Sequence, residues 1–96
     1  MAKTKTRRWD PADYLKSDKD VIAYLQAALE DGDSGVVAAA LGDVARAKGM
    51  TRVARQAGLG RESLYKALSA GGNPELATVL RVVRALGIKL HAVPAR

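Results

Sequence analysis

The chain has 96 residues, 48% of them hydrophobic and 27% charged, and it contains no cysteine. This composition favours one globular domain with a modest core and argues against a disordered chain. No apolar run approaches the roughly 18 residues that a membrane span requires, and the start MAKTKTRRWDP lacks the apolar stretch of a secretory signal. We therefore expect a soluble, cytoplasmic protein with no disulfide.

The formal charge of +6 is distributed unevenly along the chain. Residues 10–45 carry two lysines against eight Asp or Glu, whereas residues 46–96 carry ten Lys or Arg against two glutamates. The basic half predicts a polyanionic partner, and the acidic half suits a cationic one; ordinary solvated charge is the alternative for both. Residues 1–8 are expected to be a flexible basic arm, with a minor-groove or phosphate contact as its alternative role.

Capping residues and helical periodicity predict about six helices. A short first helix begins at Asp10-Pro11 and runs to about Leu15. Ser17 or Asp18 caps a second helix that ends at Asp31-Gly32, and Asp33 or Ser34 starts a third that ends at Lys48-Gly49. Trp9, beside the first helix, either anchors a partner or packs into the core. The apolar stripes of the two longer helices are Val21, Ile22, Leu25, Ala28 and Leu29, then Val37, Ala40, Leu41, Val44 and Ala45.

The stretch MTRVARQAGLGRESLYKALS, residues 50–69, contains two short helical segments separated by Gly58-Leu59-Gly60. Gly58 can adopt the positive φ that ends a helix within one turn, and Leu59 then contacts the core. The first segment buries Met50, Val53, Ala54 and Ala57, and the second buries Leu64, Ala67 and Leu68, which leaves Arg61, Glu62, Tyr65, Lys66 and Ser69 on one polar face.

The C-terminal part predicts one helix and one strand. Asn73-Pro74-Glu75 is a capping residue, a proline and a first-turn carboxylate, and it predicts a helix of about 13 residues. Residues 88–93 then alternate apolar and polar side chains until Pro94, which predicts a strand. The buried stripe of the helix is Leu76, Val79, Leu80, Val83 and Leu86.

A single strand needs a partner for its backbone groups, and the chain offers no second one. Pairing with the same segment of another copy makes a two-fold dimer with Ile88, Leu90 and Ala92 facing its core. The alternative is an extended tail packed against the last helix. We predict an all-α domain over residues 9–96, a compact bundle of five or six helices with a short C-terminal strand that pairs across a dimer.

Residues 50–69 resemble the helix-turn-helix of the phage repressor and Cro proteins, with matching residues at Ala54, Gly58, Leu59, Leu64 and Leu68. The segment ALGDVARAKGMTRVARQAGLGRESLYKALSAGGNPELATVLRVVRALGIKL is similar to the probable addiction-module antidote proteins, which are related to HigA-like antitoxins. WDPADYL and IAYLQAALEDGD match that family too. The resemblance implies an antitoxin that binds a small basic RelE/HigB-like toxin from an adjacent gene and represses their shared promoter as a dimer.

The helix-turn-helix prediction assigns contacts with double-stranded operator DNA. Arg61 is placed to donate two hydrogen bonds to a guanine edge, with a phosphate contact as the alternative. Glu62 either accepts from cytosine or serves the helix dipole, and Tyr65 either reaches DNA or borders the core. Thr51, Arg52 and Arg55 of the first helix are predicted to contact the DNA backbone, which fixes the register without reading sequence. The other predicted DNA contacts lie at or after the start of the second helix: Gly60, Arg61, Glu62, Ser63, Tyr65, Lys66 and Ser69.

Catalysis is the least supported function, and no cofactor or metal is expected. His91 is the only histidine, and without cysteine or a second histidine neither a zinc site nor a catalytic triad can be assembled. The GLG at residues 58–60 lacks the lysine and hydroxyl of a phosphate-binding loop. A stand-alone phage-like repressor and a pure protein-interaction module remain the alternatives to the antitoxin.

Overall fold

The protein is described by a computed structural model over residues 10–95. A 3-10 helix at Pro11–Tyr14 precedes five α-helices: α1 Asp18–Asp31, α2 Ser34–Lys48, α3 Met50–Ala57, α4 Arg61–Ala67 and α5 Leu76–Ala85. The prediction of an all-helical bundle is therefore confirmed for these residues. None of the helices between residues 10 and 95 has the length and hydropathy of a membrane span. The predicted basic arm, residues 1–8, and Trp9 lie outside the described residues.

The predicted caps fix the ends of α1 and α2. The Ser17 hydroxyl accepts from the Asp20 N–H at 3.1 Å, and the Asp20 carboxylate accepts from the Ser17 N–H at 3.2 Å, which completes a capping box. Gly32 ends α1 in the left-handed region, with φ 82°. Asp33 then caps α2 by accepting from the Val36 N–H at 3.1 Å. Polar side chains in this part of the chain thus accept hydrogen bonds from the free N–H groups at the starts of α1 and α2.

The core forms where α2 and α5 meet the pair α3 and α4. Leu64, Val44, Val53 and Val82 are almost completely buried there. Gly42 of α2 lies so close to the end of α4 that an added Cβ would be 2.2 Å from the carbonyl oxygen of Leu68. Only glycine permits this approach, so α2 sets the position of α4.

A polar cluster ties the 3-10 helix to α1 and α2. Arg46 Nη2 donates to Asp10 Oδ1 at 2.7 Å and to Asp43 Oδ1 at 2.8 Å, while the Tyr24 hydroxyl donates to the other Asp43 oxygen. The hydrogen bond from Arg46 holds the pKa of Asp10 below its usual value. Desolvation, followed by the hydrogen bond to Asp43, raises the pKa of Tyr24 to about 12. Four polar side chains thus have partners within the fold.

The predicted start of α5 is wrong by two residues. Glu75, not Asn73, is the N-cap, with extended backbone and no side-chain hydrogen bond, and α5 has 10 residues. The predicted stripe is also incomplete, because Leu76 and Leu80 are 71% and 49% exposed. Pro74 favours an extended residue before it, and Glu75 is itself extended with φ −67° and ψ 154°, so the helix begins at Leu76. The first turn of α5 therefore lies beyond the core.

The predicted strand at residues 88–93 does not form in the single chain. Residues 88–95 have no regular secondary structure, and between residues 10 and 95 there is no second strand to pair with them. Ile88 instead packs partly buried against the core, and its N–H donates to the Val83 carbonyl at 3.2 Å. The alternative of a tail packed on α5 therefore describes this chain by itself, because a strand requires a partner.

Candidate nucleic-acid interface

Helices α3 and α4 are joined by the three-residue turn Gly58-Leu59-Gly60. Gly58 adopts the left-handed conformation with φ 74° and ψ 32°, as the sequence predicted. The Leu59 N–H then donates to the Ala54 carbonyl at 2.9 Å, which closes the end of α3, and the Leu59 side chain packs against the core. Gly60 is extended and begins α4. The turn thus changes the chain direction while holding both helices to the core.

Each helix of the pair buries one narrow face and exposes the rest. Helix α3 buries the four apolar residues predicted for it, and α4 is held by Leu64, at 0% exposure, with Leu68 just after it, at 3%. Every residue predicted to contact DNA is exposed: Thr51, Arg52, Arg55, Gly60, Arg61, Glu62, Ser63, Tyr65, Lys66 and Ser69. We call these ten residues, together with Gln56, the α3–α4 surface.

The basic side chains of the α3–α4 surface have no partner within residues 10–95. The side chains of Arg52, Arg55, Arg61 and Lys66 make no hydrogen bond or ion pair there, and neither does the side chain of Glu62. The cations Arg46 and Lys48 at the end of α2, by contrast, pair with aspartates. A group of exposed cations that the fold itself does not neutralise produces a positive local potential.

Two residues of the surface differ in their surroundings. Tyr65 is 58% exposed on α4, one helical turn after Arg61, so most of its ring is accessible to a ligand. The Ser69 hydroxyl donates to the Lys66 carbonyl at 2.9 Å, so it satisfies one of the carbonyl groups at the C-terminal end of α4 that lack a partner within the helix. Ser69 therefore already has a local structural role.

Sequence reasoning omitted Gln56, whose side chain is exposed in the last turn of α3. It follows Arg52 by one helical turn and adjoins Arg55, so its amide belongs to the same outer face. The helical spacing from Arg52 was the signal that could have identified it. An amide in this position can donate to a phosphate or to a base edge.

The residues predicted for the dimer do not lie on one free face. Ile88 is half-buried against the core of its own chain, whereas Leu90 is 46% exposed and Ala92 is exposed. His91 is exposed between them. Across residues 10–95 no three His, Asp or Glu side chains are grouped so that they could hold a metal ion.

Comparisons of the sequence with known proteins identify its family. The family model described as probable addiction module antidote protein matches residues 5–94. A protein of Haemophilus influenzae described only as uncharacterized is 42% identical over 88 residues, which cover 92% of this chain and 91% of that protein. No solved structure matches the chain. Because the family model spans almost the whole sequence, the chain belongs to the family of probable addiction module antidote proteins.

Proposed function

We propose that this antidote binds operator DNA through α3 and α4 as a helix-turn-helix, represses its own promoter and neutralises a RelE/HigB-like toxin by direct binding. The observation that carries the DNA-binding part is the group of unpaired cations on the α3–α4 surface. Exposed cations that have no partner in the fold and lie on both sides of the turn Gly58-Leu59-Gly60 favour the binding of a polyanion such as DNA. The family supports the antidote part.

The two helices have different roles in this proposal. Helix α4 lies in the major groove, where Arg61 in its first turn donates to a guanine edge. Tyr65 and Lys66 follow one turn later and reach a base edge or a phosphate. Arg52 and Arg55 of α3 contact the DNA backbone and fix the register without reading sequence.

The arginines Arg61 and Arg52 provide the matched test of this division, since both are exposed and lack ion pairs within the described chain. DNA from upstream of the gene is compared with random DNA of equal length at several salt concentrations. Arg61→Ala should weaken specific binding by about 1–3 kcal/mol and change random binding little, while Arg52→Ala weakens both. Equal losses on both DNAs in Arg61→Ala would remove the base-reading role.

The toxin partner requires a separate experiment. The chain is co-expressed with the neighbouring reading frame, with a tag on this chain only. A small basic protein that co-purifies in stoichiometric amount, and whose toxicity is silenced, is the expected result. If the chain emerges alone but still binds its upstream DNA, the toxin partner is wrong and the protein is a stand-alone repressor.

We propose a homodimer through residues 88–93, including Ile88, Leu90 and Ala92. In support, residues 89–93 make no backbone hydrogen bond within the described chain, so their N–H and C=O groups are available to a second copy. His91→Pro removes one donor from this segment and should yield monomers by light scattering, while His91→Ala remains dimeric. Dimers of the His91→Pro variant would refute strand pairing.

A further inference from the structure

A groove remains open between α1, α2, α5 and the C-terminal tail, and we call it the α1–tail groove. It has a volume of about 430 Å³. Among residues 10–95, four of the nine exposed large apolar side chains line it, with exposures from 45% to 70%: Ile22, Leu29, Leu90 and Val93. Single exposed apolar residues are common, but several grouped around a concave surface are typical of a binding site.

The charged side chains of the lining are balanced and lie on different walls. Glu30, in the last turn of α1, is the one carboxylate in the lining, and Lys89 on the tail is the one Lys or Arg. His91 also lines the groove and is formally neutral at pH 7. Neither the Glu30 nor the Lys89 side chain has a partner within the described chain. A molecule that satisfies both must present one charge of each sign.

A second copy of the chain presents this combination. In a two-fold contact, if one residue meets another on the partner, the reverse contact is made as well. Lys89 of each copy can therefore meet Glu30 of the other, and the contact contains the pair twice. A ligand that carries only cations or only anions would place a like charge beside Lys89 or Glu30, which is unfavourable in an interface.

The proposed pairing of residues 88–93 brings the second copy to this groove. Paired strands lie about 4.8 Å apart, so a partner tail that pairs along the groove side of residues 88–93 lies over the groove that they border. Two paired strands alone are marginally stable in water and need an apolar surface to pack on. Ile22 and Leu29 of α1 supply that surface.

We propose that the tail of a second copy fills the α1–tail groove, where its apolar side chains pack on Ile22 and Leu29 and its Lys89 pairs with Glu30. This inference rests on the proposed homodimer and adds α1 as a second contact surface to the paired tails. No residue of α3 or α4 lines the groove, so the α3–α4 surfaces of both copies stay accessible to DNA.

Charge reversal tests the pair between Glu30 and Lys89. The dimer dissociation constant of the full chain is measured without DNA by sedimentation equilibrium for Glu30→Lys, for Lys89→Glu and for the double variant. Each single reversal places like charges together twice and should raise the constant about tenfold or more, which corresponds to about 1.4 kcal/mol or more. The double variant restores opposite charges and should dimerise nearly as tightly as the unchanged chain.

Matched controls lie outside the groove. Asp13→Lys and Lys16→Glu reverse exposed charges that do not line it and should leave the dissociation constant unchanged. Leu29→Ser removes an apolar contact of the groove and should weaken the dimer about tenfold, whereas Val36→Ser, at a residue 42% exposed elsewhere, should not. All these positions are exposed, so circular dichroism and thermal unfolding should match those of the unchanged chain.

The outcomes separate this contact from the dimer itself. If the unchanged chain is a dimer and neither Leu29→Ser nor the single charge reversals weaken it, the groove is not part of the dimer contact, and strand pairing stands without it. Single reversals that weaken the dimer without recovery in the double variant would overturn the pair between Lys89 and Glu30. Leu29→Ser that stays dimeric but loses binding to the product of the neighbouring reading frame would assign the groove to that protein. A monomeric unchanged chain would refute the homodimer and this contact with it.

Discussion

The acidic N-terminal region, residues 10–48, and the basic pair α3 and α4 use their polar side chains differently. In the first region, Ser17, Asp20 and Asp33 cap helices, and Arg46 joins Asp10 to Asp43. In the second, both helices begin at glycines with no side-chain cap. The cations there have no partner within residues 10–95.

This difference separates residues that support the fold from residues available for binding. A polar side chain that completes a helix end or an ion pair contributes to the free energy of unfolding. An exposed arginine with no partner contributes little to stability, so its substitution should be seen in binding alone. Substitutions in the two regions should therefore differ in their effect on the free energy of unfolding.

The largest effect is expected where the two regions meet. Gly42→Ala places a Cβ against the Leu68 carbonyl, and the end of α4 must move away from α2. Overpacking of this kind costs about 1–3 kcal/mol in the free energy of unfolding, and DNA affinity should fall with it because α4 is displaced. Gly71→Ala is the control, since nothing lies within 4 Å of its added Cβ. Equal urea midpoints for the two variants would show that α2 does not position α4.

Loss of a helix cap comes next. Ser17→Ala removes the acceptor for the Asp20 N–H and should cost about 1 kcal/mol in the free energy of unfolding, measured by urea denaturation. Thr51→Ala, in the first turn of α3, removes a hydroxyl that caps nothing and should cost less than about 0.5 kcal/mol. A larger cost for Thr51→Ala than for Ser17→Ala would reverse the contrast between the regions.

The polar cluster predicts a pH dependence at high pH. The pKa of Tyr24 is about 12 in the fold against an ordinary value of 10.0. The contribution of Tyr24 to the free energy of unfolding is therefore fully present below pH 10, and it is lost as the pH rises toward 12. Tyr24→Phe should flatten the decline of the unfolding free energy across this window. If the unfolding free energy of Tyr24→Phe falls as steeply as that of the unchanged chain, Tyr24 is not the source of the pH dependence.

The smallest effect is expected at the contact between Lys48 and Asp18. The two atoms lie 3.4 Å apart and the aspartate side chain is 94% exposed, so solvent screens the pair. Lys48→Ala should change the free energy of unfolding by less than about 0.5 kcal/mol, and added salt should leave that difference nearly unchanged. A loss of about 1 kcal/mol or more that salt abolishes would show that the pair stabilises the fold.

Local chemistry made much of this fold predictable. The ends of α1 and α2 follow from Ser17, Gly32 and Asp33, because capping and left-handed glycine depend only on neighbouring residues. Gly58 ended α3 for the same reason. Ten residues of the exposed α3–α4 surface were predicted as well, because periodicity separates buried from exposed positions on a short helix, and Gln56 was the one that was missed.

Features that depend on distant contacts were not predictable. The apolar spacing of Leu76 and Leu80 matches a buried stripe, but burial depends on which helix lies opposite, and none covers the first turn of α5. The tail alternates like a strand, yet it packs Ile88 on the core because the chain supplies no strand to pair with. The apolar groove lined by Ile22 of α1, Val79 of α5 and Leu90 of the tail likewise arises only when separated segments come together.

The salt dependence of DNA binding shows whether the unpaired cations of the α3–α4 surface contact DNA phosphates. The logarithm of the DNA association constant is measured against that of salt concentration for the unchanged chain, for Arg55→Ala and for Lys19→Ala. Lys19 is an exposed cation on α1, away from the α3–α4 surface. If α3 contacts the DNA backbone, Arg55→Ala reduces the magnitude of the negative slope by about one unit and Lys19→Ala leaves it unchanged. Equal slopes for all three proteins would show that Arg55 does not contact a DNA phosphate.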